Sequence, residues 1–124
     1  MKQSTRSRVG ALVLLASLCL VSRADPPAAA ASEIAYLFGF LERSGCEFNR
    51  NGHWYDAAAA KAHLQHKYDL VSGTGTITTA ETFIERVATK SSLSGQAYAV
   101  RCGSEESRPV DGWLREALAA HRRG

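Results

Sequence analysis

The chain reads as an α+β domain: a small antiparallel sheet, made of a hairpin and a later strand, packed with about four helices. Three observations predict this class. Asn51-Gly52 stands between two short β-prone runs, the strongest local hairpin signal a sequence offers. Four segments carry apolar residues at helical spacing. Tyr98, Val100 and Cys102 alternate with Ala99 and Arg101, the period of a strand with one buried face.

The elements follow in order. Ser32 is a candidate N-cap for a helix running to about Ser44, with Gly45 as its stop and Ile34, Leu37, Phe38 and Leu41 as its inward stripe. Tyr36 and Phe40 lie one turn apart on another face, so this helix is apolar almost all round: it is either central to the core, the reading preferred, or presents an aromatic patch to a partner. Cys46–Arg50 and His53–Tyr55 form the hairpin. Asp56 caps a second helix from Ala57 to about Leu70, with stripe Ala60, Leu64, Tyr68 and Val71; Ser72-Gly73-Thr74-Gly75 breaks it. Thr78 and Glu81 have capping-box spacing, which starts a third helix at Thr79 with stripe Phe83, Ile84, Val87 and Ala88. The loop Ser91–Gly95 leads to the strand Ala97–Cys102. After a loop through Pro109, Asp111 caps a last helix from Trp113 to Arg122, whose terminal arginines suit the negative end of the helix dipole.

Domain organisation is set by the ends. Residues 1–24 have the three-part pattern of a secretory signal peptide: Lys2, Arg6 and Arg8 first, an apolar run from Val9 to Val21, then Ser22-Arg23-Ala24 before a cut that leaves Asp25 first. The run is shorter than the ~20 residues a membrane span needs, and no later run matches it, so the mature part has no membrane span. Cys19 invites a lipoprotein reading, but Leu18 before it is not small. Residues 25–31, Asp-Pro-Pro and then alanines, read as a disordered lead-in, and 32–124 as a single domain. The whole chain carries 15 Lys+Arg and 12 Asp+Glu, net +3. Lys2, Arg6, Arg8 and Arg23 leave with the signal and no acid does, so the mature net is −1 from 11 bases and 12 acids. That balance argues against a nucleic-acid partner, which needs a basic face. Cys46 and Cys102 are an even pair in an exported chain and are expected to form a disulfide.

No residue set amounts to a recognised catalytic centre. His63 and Lys67 lie one turn apart, on or beside the apolar stripe of the second helix, where a charge needs a reason: either Lys67 snorkels from near the helix end, or the pair faces a cleft between helix and sheet. The loop with Ser92 and Ser94 ends in a glycine and offers hydroxyls and backbone N–H groups to an anion or a peptide, although it is not a Walker loop. His63 and His66 supply two metal ligands at most, so no metal or other cofactor is expected. A hydrolase built from Ser92 or Ser94 with His63 lacks an elbow motif and an orienting acid.

Several runs resemble the YfeK-like family of small exported bacterial proteins, a domain of unknown function. They are Arg50-Asn51-Gly52, the pattern Ala60, His63, Leu64 and Lys67, Thr79-Ala80-Glu81 with Phe83-Ile84, and Ser91-Ser92-x-Ser94-Gly95 with Tyr98. The family usually has proline before its tyrosine; Ala97 stands there in this chain. The resemblance implies a periplasmic home and no assigned activity. The leading expectation is a periplasmic binding or interaction module for an envelope protein or a polar or anionic ligand, with Arg50, His63, Lys67, Ser92, Ser94 and Tyr98 converging on one side. The alternatives are a small envelope hydrolase using a Ser/His63 pair, and a purely structural network in which Glu81 pairs with Lys67.

Overall fold

Pro26 and Pro27 hold the chain extended and leave the next residues free to start a helix. The structure, a computed structural model, describes residues 10–14 and 23–124. Most of the proposed signal peptide, including Cys19, lies outside the described residues. The first helix, α1, spans Ala28–Arg43, with Pro27 at its N-cap. It therefore starts four residues before the predicted Ser32 cap, and Ala28–Ala31 are helical, not a disordered lead-in. Alanine is the best helix former, and Ala30 is buried, so propensity and packing both extend the helix. Gly45, at φ 66°, ends it as expected.

The hairpin is β1 (Glu47–Arg50) and β2 (His53–Tyr55), in the register Phe48↔Tyr55 and Arg50↔His53. Asn51 and Gly52 take φ of 53° and 83°, the left-handed pair that a two-residue turn requires. Helix α2 runs Ala57–Val71, and the Asp56 carboxylate accepts the Ala59 N–H at 2.8 Å. Helix α3 runs Ala80–Val87. Its capping box is Thr79 with Thr82, one residue later than the predicted Thr78/Glu81 pair. Glu81 is thereby free to pair with Arg122, and not with Lys67.

Strand β3 (Ala99–Arg101) pairs antiparallel with β1, and a two-residue strand β4 (Arg108–Pro109) joins its other edge, giving the order β2-β1-β3-β4. The predicted loop through Pro109 thus contains the fourth strand. It is short and ends in proline, which suits an edge and leaves no periodic signal. Helix α4 spans Val110–Arg122 and starts three residues before the predicted Trp113, capped by Pro109; Asp111 lies in its first turn and accepts only from Gly112 N–H.

The core lies between the sheet and the helices. Ile34, Leu37 and Leu41 of α1, Phe83 and Ile84 of α3, Val100 of β3 and Leu114 of α4 are fully buried together. Tyr36 and Phe40 are half-buried against that core; Tyr36 stacks on His121 and Phe40 packs at a tilt on Trp113, so the second aromatic face of α1 is covered by α4. Cys46 and Cys102 form a disulfide with Cα atoms 4.4 Å apart, joining the residues that flank β1 and β3. Closing its 56-residue separation stabilises the fold by roughly 4 kcal/mol in the chain-entropy model. Among the described residues no helix is long and apolar enough to cross a membrane.

Candidate functional site

The hairpin register decides where Arg50 points. Phe48 and Arg50 share one face of β1 because side chains alternate, and Phe48 is buried against the helices. Arg50 therefore faces inward at the turn end of the hairpin. Its guanidinium carbon sits 4.8 Å from the centre of the Tyr55 ring, the diagonal neighbour on β2. Extending the β1–β3 register by one residue sets Tyr98 opposite Arg50. Helix α2 crosses the same end and lowers His63 and Lys67 onto it.

The four side chains form one hydrogen-bonded chain. An Arg50 guanidinium N–H meets His63 Nδ1, His63 Nε2 lies 3.1 Å from the Tyr98 hydroxyl, and Lys67 Nζ donates to that hydroxyl at 3.0 Å. Lys67 also donates to the carbonyl of Lys90 at 3.0 Å. The proton positions follow from the ends. Arginine and lysine only donate. His63 Nδ1 must then accept from Arg50, which places the imidazole proton on Nε2, facing Tyr98. The Tyr98 oxygen accepts twice, from His63 and from Lys67, and its own proton is left over. Among the described residues no acceptor takes it, and four of the five Arg50 N–H groups are likewise uncommitted. The cluster has surplus donors, two positive charges and no free acceptor.

Electrostatics point the same way. Burial holds the His63 pKa below 6.5, and Arg50, Lys67 and His66 depress it further; every charge acting on it is positive. Burial, then Arg50, lowers Lys67 as well. Burial raises Tyr98, with Arg50 working against it, so the phenol keeps its proton.

Arg50, His63 and Tyr98 open onto a small cavity of about 40 Å³. Its remaining wall is Asn49 and Tyr55 together with the apolar Phe48, Ala59, Ala60, Leu64 and Val110. Of the six residues expected to converge, these three and Lys67 do so. Ser94 reaches the rim: its hydroxyl donates to the Asn51 side chain at the hairpin tip, beside Arg50. Ser92 lies exposed in the same turn and enters none of these hydrogen bonds. Ser91, which is buried, organises that turn by accepting from Gly95 N–H and donating to Gln96 O. Tyr55 and Asn51 were not predicted as part of the group. The Asn-Gly turn carried the signal for both, since it fixes the register that sets Tyr55 beside Arg50.

Neither ring nitrogen of His63 faces a serine or a carboxylate; Arg50 and Tyr98 occupy both. The geometry on which a Ser/His63 pair would rest is not present. Among the described residues no three His, Cys, Asp or Glu side chains gather as metal ligands.

Residues 28–122, from the first residue of α1 to the last of α4, match the model of a family of unknown function, DUF5329. The chain belongs to that family. The match takes in every helix and strand described above, so the cluster of Arg50, His63, Lys67 and Tyr98 lies wholly inside the DUF5329 domain. No curated protein and no solved structure matches the chain.

Proposed function

We propose that this DUF5329 protein is a periplasmic binding module that takes an anionic group at Arg50 and Tyr98, which His63 and Lys67 hold in one hydrogen-bonded cluster. The observation that carries the reading is the donor surplus. Two obligate donors end the hydrogen-bond chain, and among the described residues the Tyr98 proton is uncommitted and no carboxylate balances the charge. Holding two like charges against a half-buried imidazole costs stability. A ligand that accepts hydrogen bonds and carries negative charge offsets that cost.

The envelope location draws on three supports. The leader pattern and the likeness to YfeK-like proteins both imply export, and the Cys46–Cys102 disulfide fits an oxidising compartment. N-terminal sequencing of protein recovered from the periplasm should start at or near Asp25; an intact Met1 would contradict export by this signal.

The binding reading is tested by an NMR titration of the purified protein with acetate. The expected result is saturable movement of the His63 and Tyr98 side-chain signals, abolished in Arg50→Gln. Signals that stay fixed, or move equally in the variant, would contradict it.

A further inference from the structure

The cluster is one wall of a cavity whose other walls differ from it in kind, and that contrast specifies more than charge. On one side stand the Arg50 fork, the neutral His63 ring and the Tyr98 hydroxyl. On the other stand Phe48, Leu64, Val110, Ala59 and Ala60, with Asn49 and Tyr55 completing the lining. Lys67 is not on the wall; it sits behind Tyr98 and holds the phenol oxygen. A ligand in the cavity therefore meets one full positive charge directly.

We infer that the ligand is a carboxylate that carries a short apolar group, with the carboxylate on Arg50 and Tyr98 and the apolar group in the cavity. This inference rests on the anion-binding reading and narrows it. Phosphate or sulfate is hydrated on every side, and seating it here would press one face of it against the hydrocarbon of Phe48, Leu64 and Val110, stripping water from that face. A monocarboxylate has two oxygens on one side only. They match the uncommitted N–H groups of a planar guanidinium, and the Tyr98 proton reaches the same side. The cavity limits the tail. Its ~40 Å³ compares with the ~10–15 Å³ that one water occupies by the same measure, so it holds roughly three heavy atoms. Two sources have this chemistry: a free short-chain acid, and the C-terminal carboxylate of a peptide ending in a small apolar residue.

The test is calorimetric titration of the purified protein with butyrate, acetate, inorganic phosphate and 1-butanol, followed by competition of bound butyrate with a tripeptide ending in valine and with its C-terminal amide. Burying the two extra methylene groups of butyrate corresponds to about tenfold in affinity. Butyrate should therefore bind at least tenfold more tightly than acetate or phosphate, and butanol should not bind. Ala59→Leu fills the cavity from an exposed helix position, where the longer side chain leaves folding intact; it should remove the preference for butyrate over acetate. Displacement of butyrate by the free-acid peptide, and not by the amide, assigns the ligand to chain ends. Failure of both peptides to displace it assigns the ligand to free acids. Phosphate equal to or tighter than butyrate overturns the inference and leaves the anion reading standing. If none of the three anions binds, both fall.

Discussion

At the scale of the residue, His63 is the part whose state depends most on its neighbours. It accepts from Arg50 and donates to Tyr98, which only the neutral ring does. Its folded pKa is lowered from 6.5, by burial first and by Arg50 next. The sign of the linkage is fixed by that direction. The unfolded chain takes up the proton first as pH falls, so the stability tied to neutral His63 is complete above about 6.5 and is lost as pH drops through the lower folded value. The expected outcome is that thermal stability falls between pH 7 and pH 5 more in the wild type than in His63→Gln, whose amide does not titrate. Equal losses in the two would show that His63 carries none of the pH dependence. The same residue was legible early. A histidine and a lysine beside an apolar stripe demanded an explanation. What spacing did not reveal is that both of them reach Tyr98, which is 31 residues or more away in sequence.

At the scale of the element, the hairpin does most of the positioning. Asn51-Gly52 fixes the register, the register turns Arg50 inward, and the Asn51 side chain holds Ser94 of the serine turn. Gly52 sits at φ 83°, where a side chain is strained. Gly52→Ala is expected to cost about 1 kcal/mol in denaturant unfolding; an unchanged midpoint would mean the turn relaxes without consequence. Strong local signals in the sequence coincide with the elements they predict. The hairpin, the Asp56 cap and α2 fall where the sequence places them. The errors lie at helix starts and at the sheet edge. Alanines 28–31 carry no amphipathic pattern, yet they join α1, where Ala30 is buried. Thr78 and Thr79 compete for one cap, and the winner is the residue that finds Thr82 three positions on. Arg108–Pro109 is a strand only because Val100 and Ala99 are there to pair with it, a fact local sequence does not hold.

At the scale of the whole molecule, stability and the site pull in opposite directions. The core and the Arg122 links to Glu33 and Glu81 tie α1, α3 and α4 together, and the disulfide ties the ends of β1 and β3. Against this stands a group of like charges at the turn end of the hairpin. A network that served the fold alone would be expected to contain a carboxylate, and its loss would weaken the protein. A binding site gives the reverse, since its groups are arranged for a ligand and not for the fold. Thermal unfolding of the wild type and of Lys67→Met, each with and without saturating butyrate, tests this most directly. The account predicts that Lys67→Met without ligand melts no lower than the wild type, because methionine fills the same space without the charge. It also predicts that butyrate at a hundredfold over Kd raises the wild-type Tm by about 10 °C and raises the variant's much less. A variant that melts well below the wild type, with no rise on adding butyrate to either protein, would contradict the account and mark the cluster as structural.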